Sequence, residues 1–212
     1  MSVVVIASWT AVGLAVGCGL AANVERLLTT ALSGPSNTDM VVPLVTALAF
    51  GVLAGRFGLQ FDLLPYSVLA ALGVVLGLID LIEQRLPSVL IYSGVALIGA
   101  LLATAAVAQS RGSEFGRALA GMVVLAAFYL VLAVASRGGL GAGDVKLGGL
   151  LGLALGWLSW SALVVATFLG WLTATLVWLA LCLIGRRPND FALPMGPFLL
   201  LGAFVTVTAM PT

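Results

Sequence analysis

Apolar residues fill long stretches of this chain, and polar residues arrive in short clusters between them. A helix needs about 20 apolar residues to cross a bilayer. Eight such runs stand out, at roughly 3–23, 40–57, 63–83, 88–109, 115–136, 144–158, 160–184 and 191–210. They are continuous rather than alternating, which is not the pattern of a β-barrel. The pattern therefore predicts an all-α fold, a polytopic transmembrane helix bundle of about eight membrane helices. It forms a single integral membrane domain over residues 1–212. The sixth run is short and glycine-rich, so it is expected to be tilted or partly re-entrant. The longest connection runs from Asn23 to Asp39 and contains Gly34-Pro35-Ser36-Asn37, a loop signature. The first run lacks a basic leader, so it reads as a span rather than a signal peptide.

Composition narrows the chemistry. The chain is 62% hydrophobic and 8% charged, with too few polar residues to cover a soluble domain. Its net charge of +1 gives no reason to expect a nucleic-acid partner. It has no histidine, which removes Ser-His-Asp, Cys-His and HExxH chemistry. Cys18 and Cys182 lie inside apolar runs and are expected to act as small core residues. Cations set the expected orientation. The loops after odd-numbered spans carry Arg26, Arg85, Arg137, Lys146, Arg186 and Arg187, against Arg56, Arg111 and Arg117 on the other side. The positive-inside rule then puts the odd loops in the cytoplasm.

Against this background two carboxylates are conspicuous, because charge within a membrane run is costly and marks functional candidates. Asp80 closes the third run and Asp144 opens the sixth, so both fall on the cytoplasmic side of the expected topology. Glu83 lies three residues beyond Asp80, on roughly the same helical face, and pairs with Arg85 as a solvated helix end. Pro87 ends that helix or begins the next. Asp144 sits in Gly141-Ala142-Gly143-Asp144-Val145-Lys146-Leu147. Gly141 and Gly143 permit unusual backbone angles and leave room for an extended peptide. Unwound backbone of that kind is tolerated where it lines a wet cavity. The bland alternative is a loop capped by Asp144. Lys146, the sole lysine, either holds the motif or anchors the helix at the interface. Gly148, Gly152 and Gly156 make a small-residue stripe suited to close helix packing. Trp157, Trp160, Trp171 and Trp178 are expected to anchor interfaces or fill the bundle.

The segment Gly141–Leu147 resembles the GxGD motif of the type IV prepilin peptidases. Asp80, followed seven residues later by Pro87, resembles their first aspartate motif. Leu193-Pro194-Met195-Gly196-Pro197-Phe198-Leu199 is similar to their C-terminal Pro-Phe-Gly-Pro-Phe pattern. Pro43-Leu44-Val45 through Gly55-Arg56-Phe57-Gly58 is similar to the opening of their membrane core, so the likeness covers about 43–205. It departs in three places. Ser88 stands where asparagine is common and Met195 where phenylalanine is usual. The paired CxxC zinc motifs of long members are missing, which matches a compact form and leaves zinc and N-methyl transfer outside the expectation.

The resemblance implies the GxGD aspartyl protease fold. It further implies cleavage of leaders from type IV prepilins or pseudopilins, substrates with an apolar N-terminal helix, at the cytoplasmic face of a prokaryotic cell membrane. Asp80 and Asp144 would be the catalytic pair, with Gly141, Gly143, Lys146, Glu83, Pro87, Pro194, Gly196 and Pro197 in support. Two close carboxylates share a proton, so one activates water while the other polarises the scissile carbonyl. This chemistry requires no metal, no cofactor and no covalent intermediate. Asp144 near a helix N-terminus is expected to be the ionised partner, and Asp80 near a helix C-terminus the protonated one. An ion- or proton-coupled transporter is the main rival, since such proteins also combine intramembrane carboxylates with broken helices. A Ser-Lys hydrolase built on Ser136 and Lys146 is the other. Oligomeric state stays open, a homo-oligomer included.

Overall fold

The computed structural model describes residues 3–27, 38–136, 140–184 and 193–210. Among them are eight α-helices: α1 (Val3–Leu27), α2 (Thr38–Phe57), α3 (Leu63–Glu83), α4 (Ser88–Gln109), α5 (Gly112–Ala135), α6 (Ala142–Leu158), α7 (Trp160–Leu183) and α8 (Gly196–Ala209). Six of these are long and apolar enough to cross a membrane: α1 to α5 and α7. The Gly34–Asn37 loop and the cations Arg137, Arg186 and Arg187 lie outside the described residues.

The helix ends follow local chemistry. Gln84 closes α3 in the left-handed region at φ 50°, and its N–H donates to the Asp80 carbonyl. Pro87, extended at φ −62° and ψ 117°, caps the start of α4. At the start of α7 the Ser159 hydroxyl accepts the Ala162 N–H at 3.0 Å. The last helix begins later than the apolar run suggested, at Gly196 rather than near 191. Pro197 suits the first turn, where its missing N–H costs nothing. Pro194 is left in the non-helical approach.

The two short helices are the ones nearest the carboxylates. Helix α6 has 17 residues, about 25 Å of rise, and is buried continuously from Leu147 to Trp157. It runs as one unbroken helix, enclosed by its neighbours over that stretch. Its stripe of small residues packs on α5 as the sequence suggested: a Cβ placed on Gly152 would lie 2.3 Å from the Gly121 carbonyl oxygen. That is closer than any side chain permits, so the approach depends on glycine. Trp157 fills the core, whereas Trp160 and Trp178 face outward. Cys18 does not act as a core residue: it is exposed on the outer face of α1.

Candidate active site

Asp80 occupies the last turn of α3 and is 5% exposed. Its Oδ2 accepts the N–H of Gly196 at 2.9 Å. Gly196 opens α8, so one of the unsatisfied donors at that helix start is met by a carboxylate. The approach is tight, since a Cβ on Gly196 would sit 2.6 Å from the same oxygen. The Met195-Gly196-Pro197 turn therefore does two things. It starts a helix, and it brings a bare backbone donor against Asp80.

Asp144 is the third residue of α6 and half-buried. Its Oδ2 reaches back to the N–H of Gly141 at 3.1 Å, as a residue at that position does in a capping box. Asp144 is thus not the N-cap; extended Gly141 is, at φ −78° and ψ 155°. Neither glycine of the motif takes a left-handed angle; among described glycines only Gly58 does. Of the unwound backbone expected here, Gly141 is extended and outside the helix, whereas Gly143 already belongs to the first turn of α6. Gly143 serves close packing, since a Cβ there would lie 2.8 Å from Leu86 Cβ. Leu86 belongs to the turn between Asp80 and Pro87. The two sequence motifs therefore meet directly.

The two carboxylates lie at the same end of the bundle, because Gly143, beside Asp144, packs on Leu86 of the turn that follows Asp80. Among the described residues no cation pairs with either one. The nearby Lys146 is turned elsewhere: its Nζ donates to Ser88 Oγ at 2.7 Å and lies 5.7 Å from the Tyr92 ring. This ties the start of α6 to the start of α4. Ser136 is not its partner; that hydroxyl donates to the Ala133 carbonyl and accepts the Leu140 N–H. Glu83 does pair with Arg85, but its side chain is 4% exposed and not a solvated helix end. Pro194 leads into the Gly196 turn and Pro197 follows it, so both shape the donor that meets Asp80.

The dipole argument for unequal roles gains a third helix. Asp144 lies at the N-terminus of α6, whereas Asp80, in the last turn of α3, also faces the N-terminus of α8 through Gly196. Asp80 thus stands between two opposing helix ends and Asp144 at a single helix start.

A second polar cluster, which sequence reasoning missed, occupies the other end of α3. Asp62 is 4% exposed, pairs with Arg111 at 3.1 Å, and accepts the Trp157 indole N–H at 3.0 Å. Arg111 lies 4.4 Å over the Trp157 ring. Arg117 donates to the carbonyls of Gly156, Trp157 and Leu158, closing the C-terminus of α6. The Tyr66 hydroxyl donates to the Ala154 carbonyl at 2.9 Å. Helices α3 and α6 are thus antiparallel, with carboxylates together at one end and a stitched cluster at the other.

Residues 67–208 match the type IV leader peptidase family, and the chain belongs to it. A curated relative from Bacillus subtilis (strain 168), named prepilin leader peptidase/N-methyltransferase, is 31% identical over 166 residues. That alignment covers 76% of this chain and 62% of the relative, so the chain spans less than two thirds of the relative's length. No solved structure matches the chain.

Proposed function

We propose that this member of the type IV leader peptidase family is a membrane-embedded aspartyl endopeptidase. It removes leaders from type IV prepilins or pseudopilins at the cytoplasmic face, and Asp80 and Asp144 are its catalytic pair. One observation carries the reading. A buried carboxylate on α3 and a half-buried one on α6 lie at the same end of the bundle, each held by a backbone N–H and, among the described residues, neither paired with a cation.

The chemistry follows from that arrangement. Neighbouring carboxylates resist double ionisation, so the pair holds one proton. The ionised member takes a proton from water as the water oxygen bonds to the scissile carbonyl carbon. The protonated member gives its proton to the carbonyl oxygen, producing a neutral tetrahedral diol. Collapse returns a proton to the leaving nitrogen, breaks the C–N bond and restores the shared proton. The Gly196 and Gly141 N–H groups orient the two carboxylates throughout.

Co-expression with prepilins from the same genome tests this. The wild-type chain is expected to shorten at least one of them, and Asp80→Asn and Asp144→Asn are expected to leave it whole while inserting normally. Processing that survives either substitution sinks the dyad. Proton-dependent flux in liposomes without any cleavage would establish the transporter instead. The contact of 2.7 Å between Ser88 and Lys146 favours a second reading, a serine nucleophile with a lysine base. Cleavage that persists in Ser88→Ala removes it.

A further inference from the structure

A long groove runs along the outside of the bundle between α2, α3 and α8, with a volume of about 490 Å³. Its α3 wall extends from Tyr66 to Leu81, about 22 Å of helix rise. The walls are apolar. Tyr66 contributes the one side-chain hydroxyl, and that is already bonded to the Ala154 carbonyl. Nothing in the lining solicits a polar ligand. The groove opens to the bilayer through α2, where Val45, Leu48 and Val52 are exposed. Along the α3 side Ala70, Gly73 and Gly77 keep the wall low, with Leu200 of α8 lying against the two glycines. Small residues of that kind let a second helix come close in a membrane.

One end of the groove is the catalytic end. Gly77, Leu78 and Leu81 line it there, flanking Asp80 in sequence, together with Pro197, the neighbour of the Gly196 that holds Asp80. A polypeptide cut at the level of Asp80 must continue somewhere. An apolar segment leaving that level finds, in this groove, a lined path along the bundle. An acyl chain would fit the walls but has no reason to end at a carboxylate pair.

Resting on the protease reading above, we infer that this groove docks the apolar membrane helix of the substrate adjoining the scissile bond, with α2 as its outer wall.

The test is photo-crosslinking in membranes. Benzoylphenylalanine is placed singly at Val45, Leu48 or Val52 in the Asp144→Asn chain, co-expressed with a prepilin from the same genome. Val131 on α5 and Val164 on α7, both exposed, serve as controls. The three groove positions should capture the prepilin's apolar segment and the controls should not. The captured residue should move away from the scissile bond from Val45 to Val52, by about seven residues for two helices side by side. In otherwise wild-type protein, Leu48→Trp should raise KM about tenfold with kcat held within about twofold, the signature of lost uniform binding. Lipid adducts alone, capture equal to that at the controls, or a register that does not move would overturn the inference. Cleavage by the wild type without the crosslinking ladder removes the groove and spares the protease. A ladder without any cleavage does the reverse.

Discussion

Asp62 and Asp80 stand at the two ends of α3, about 27 Å apart by helix rise, and are 4% and 5% exposed. Burial does not tell them apart; their partners do. Asp62 meets a guanidinium and an indole N–H, so its charge is compensated where it sits. Asp80 meets a backbone N–H and shares its end of the bundle with a second carboxylate. A compensated buried charge holds helices in place, and an uncompensated one is free to exchange a proton. Isolated charge is also costly in a low-dielectric site. The fold carries that cost at the Asp80 end, while the Asp62 cluster fastens the same two helices at the other.

The largest effects should separate the two ends cleanly. Asp80→Asn and Asp144→Asn remove a proton carrier and should lower turnover by at least about 10²–10⁴-fold. Their thermal unfolding in detergent should match the wild type, because no ion pair is lost. Asp62→Asn should do the opposite. It leaves Arg111 with Glu114, at 3.5 Å, as its remaining acidic partner and should cost about 2 kcal/mol of stability. Turnover per folded molecule should stay within about threefold, below the scale of losing an acid–base group. A folded Asp62→Asn protein that has lost turnover would break the comparison, since compensation would no longer mark a structural carboxylate.

The difference between the two ends also explains what was legible in the sequence. Asp80 and Asp144 could be found because a charge at the edge of a long apolar run is conspicuous. Asp62 sits in the short break Gly58–Asp62 between two runs, where an aspartate looks like an ordinary solvated loop residue. Its partners Arg111 and Trp157 are 49 and 95 residues away, and no local spacing announces them. The same holds for Glu83, whose pairing with Arg85 is local but whose burial comes from packing. The glycine stripe of α6 was readable as a close-packing face because its period is helical. Gly143 was not, since its purpose depends on Leu86 from another segment. The role assignment was incomplete for a related reason. It counted the helices that Asp80 and Asp144 belong to, not the α8 start that faces Asp80.

A smaller effect tests whether the backbone donor matters as the comparison requires. Gly196→Ala puts a methyl group 2.6 Å from Asp80 Oδ2, so either the carboxylate or the α8 start must move. Turnover should fall by about 10–100-fold, the order expected when a positioned group shifts by about an ångström. Stability should change by about 1 kcal/mol or less, since α8 keeps its other contacts. Removing the Arg117 side chain with Arg117→Met is the matched change at the far end. It frees three carbonyls at the end of α6, so it should lower the unfolding temperature with turnover per folded molecule intact. If both substitutions lower turnover alike, the two ends act as one unit and the distinction between them weakens.

The smallest effect concerns the cation that stays out of the pair. Lys146 is two residues from Asp144, and residues so spaced do not share a helix face. Its ammonium is instead held by Ser88 on α4, so helical geometry keeps the nearest positive charge away from the carboxylates. Lys146→Met and Ser88→Ala should each cost about 1–2 kcal/mol, the range of one charge-assisted hydrogen bond at a half-buried site. Because both remove the same bond, the double variant should cost less than the sum of the singles. Turnover should stay within about threefold in all three, far from the loss expected of an acid–base group. Unfolding curves and cleavage rates on the same preparations measure both quantities. A folded Lys146→Met protein that loses turnover as fully as Asp80→Asn would show that a cation does serve the catalytic end. Asp80 and Asp62 would then differ in how they are compensated, not in whether they are.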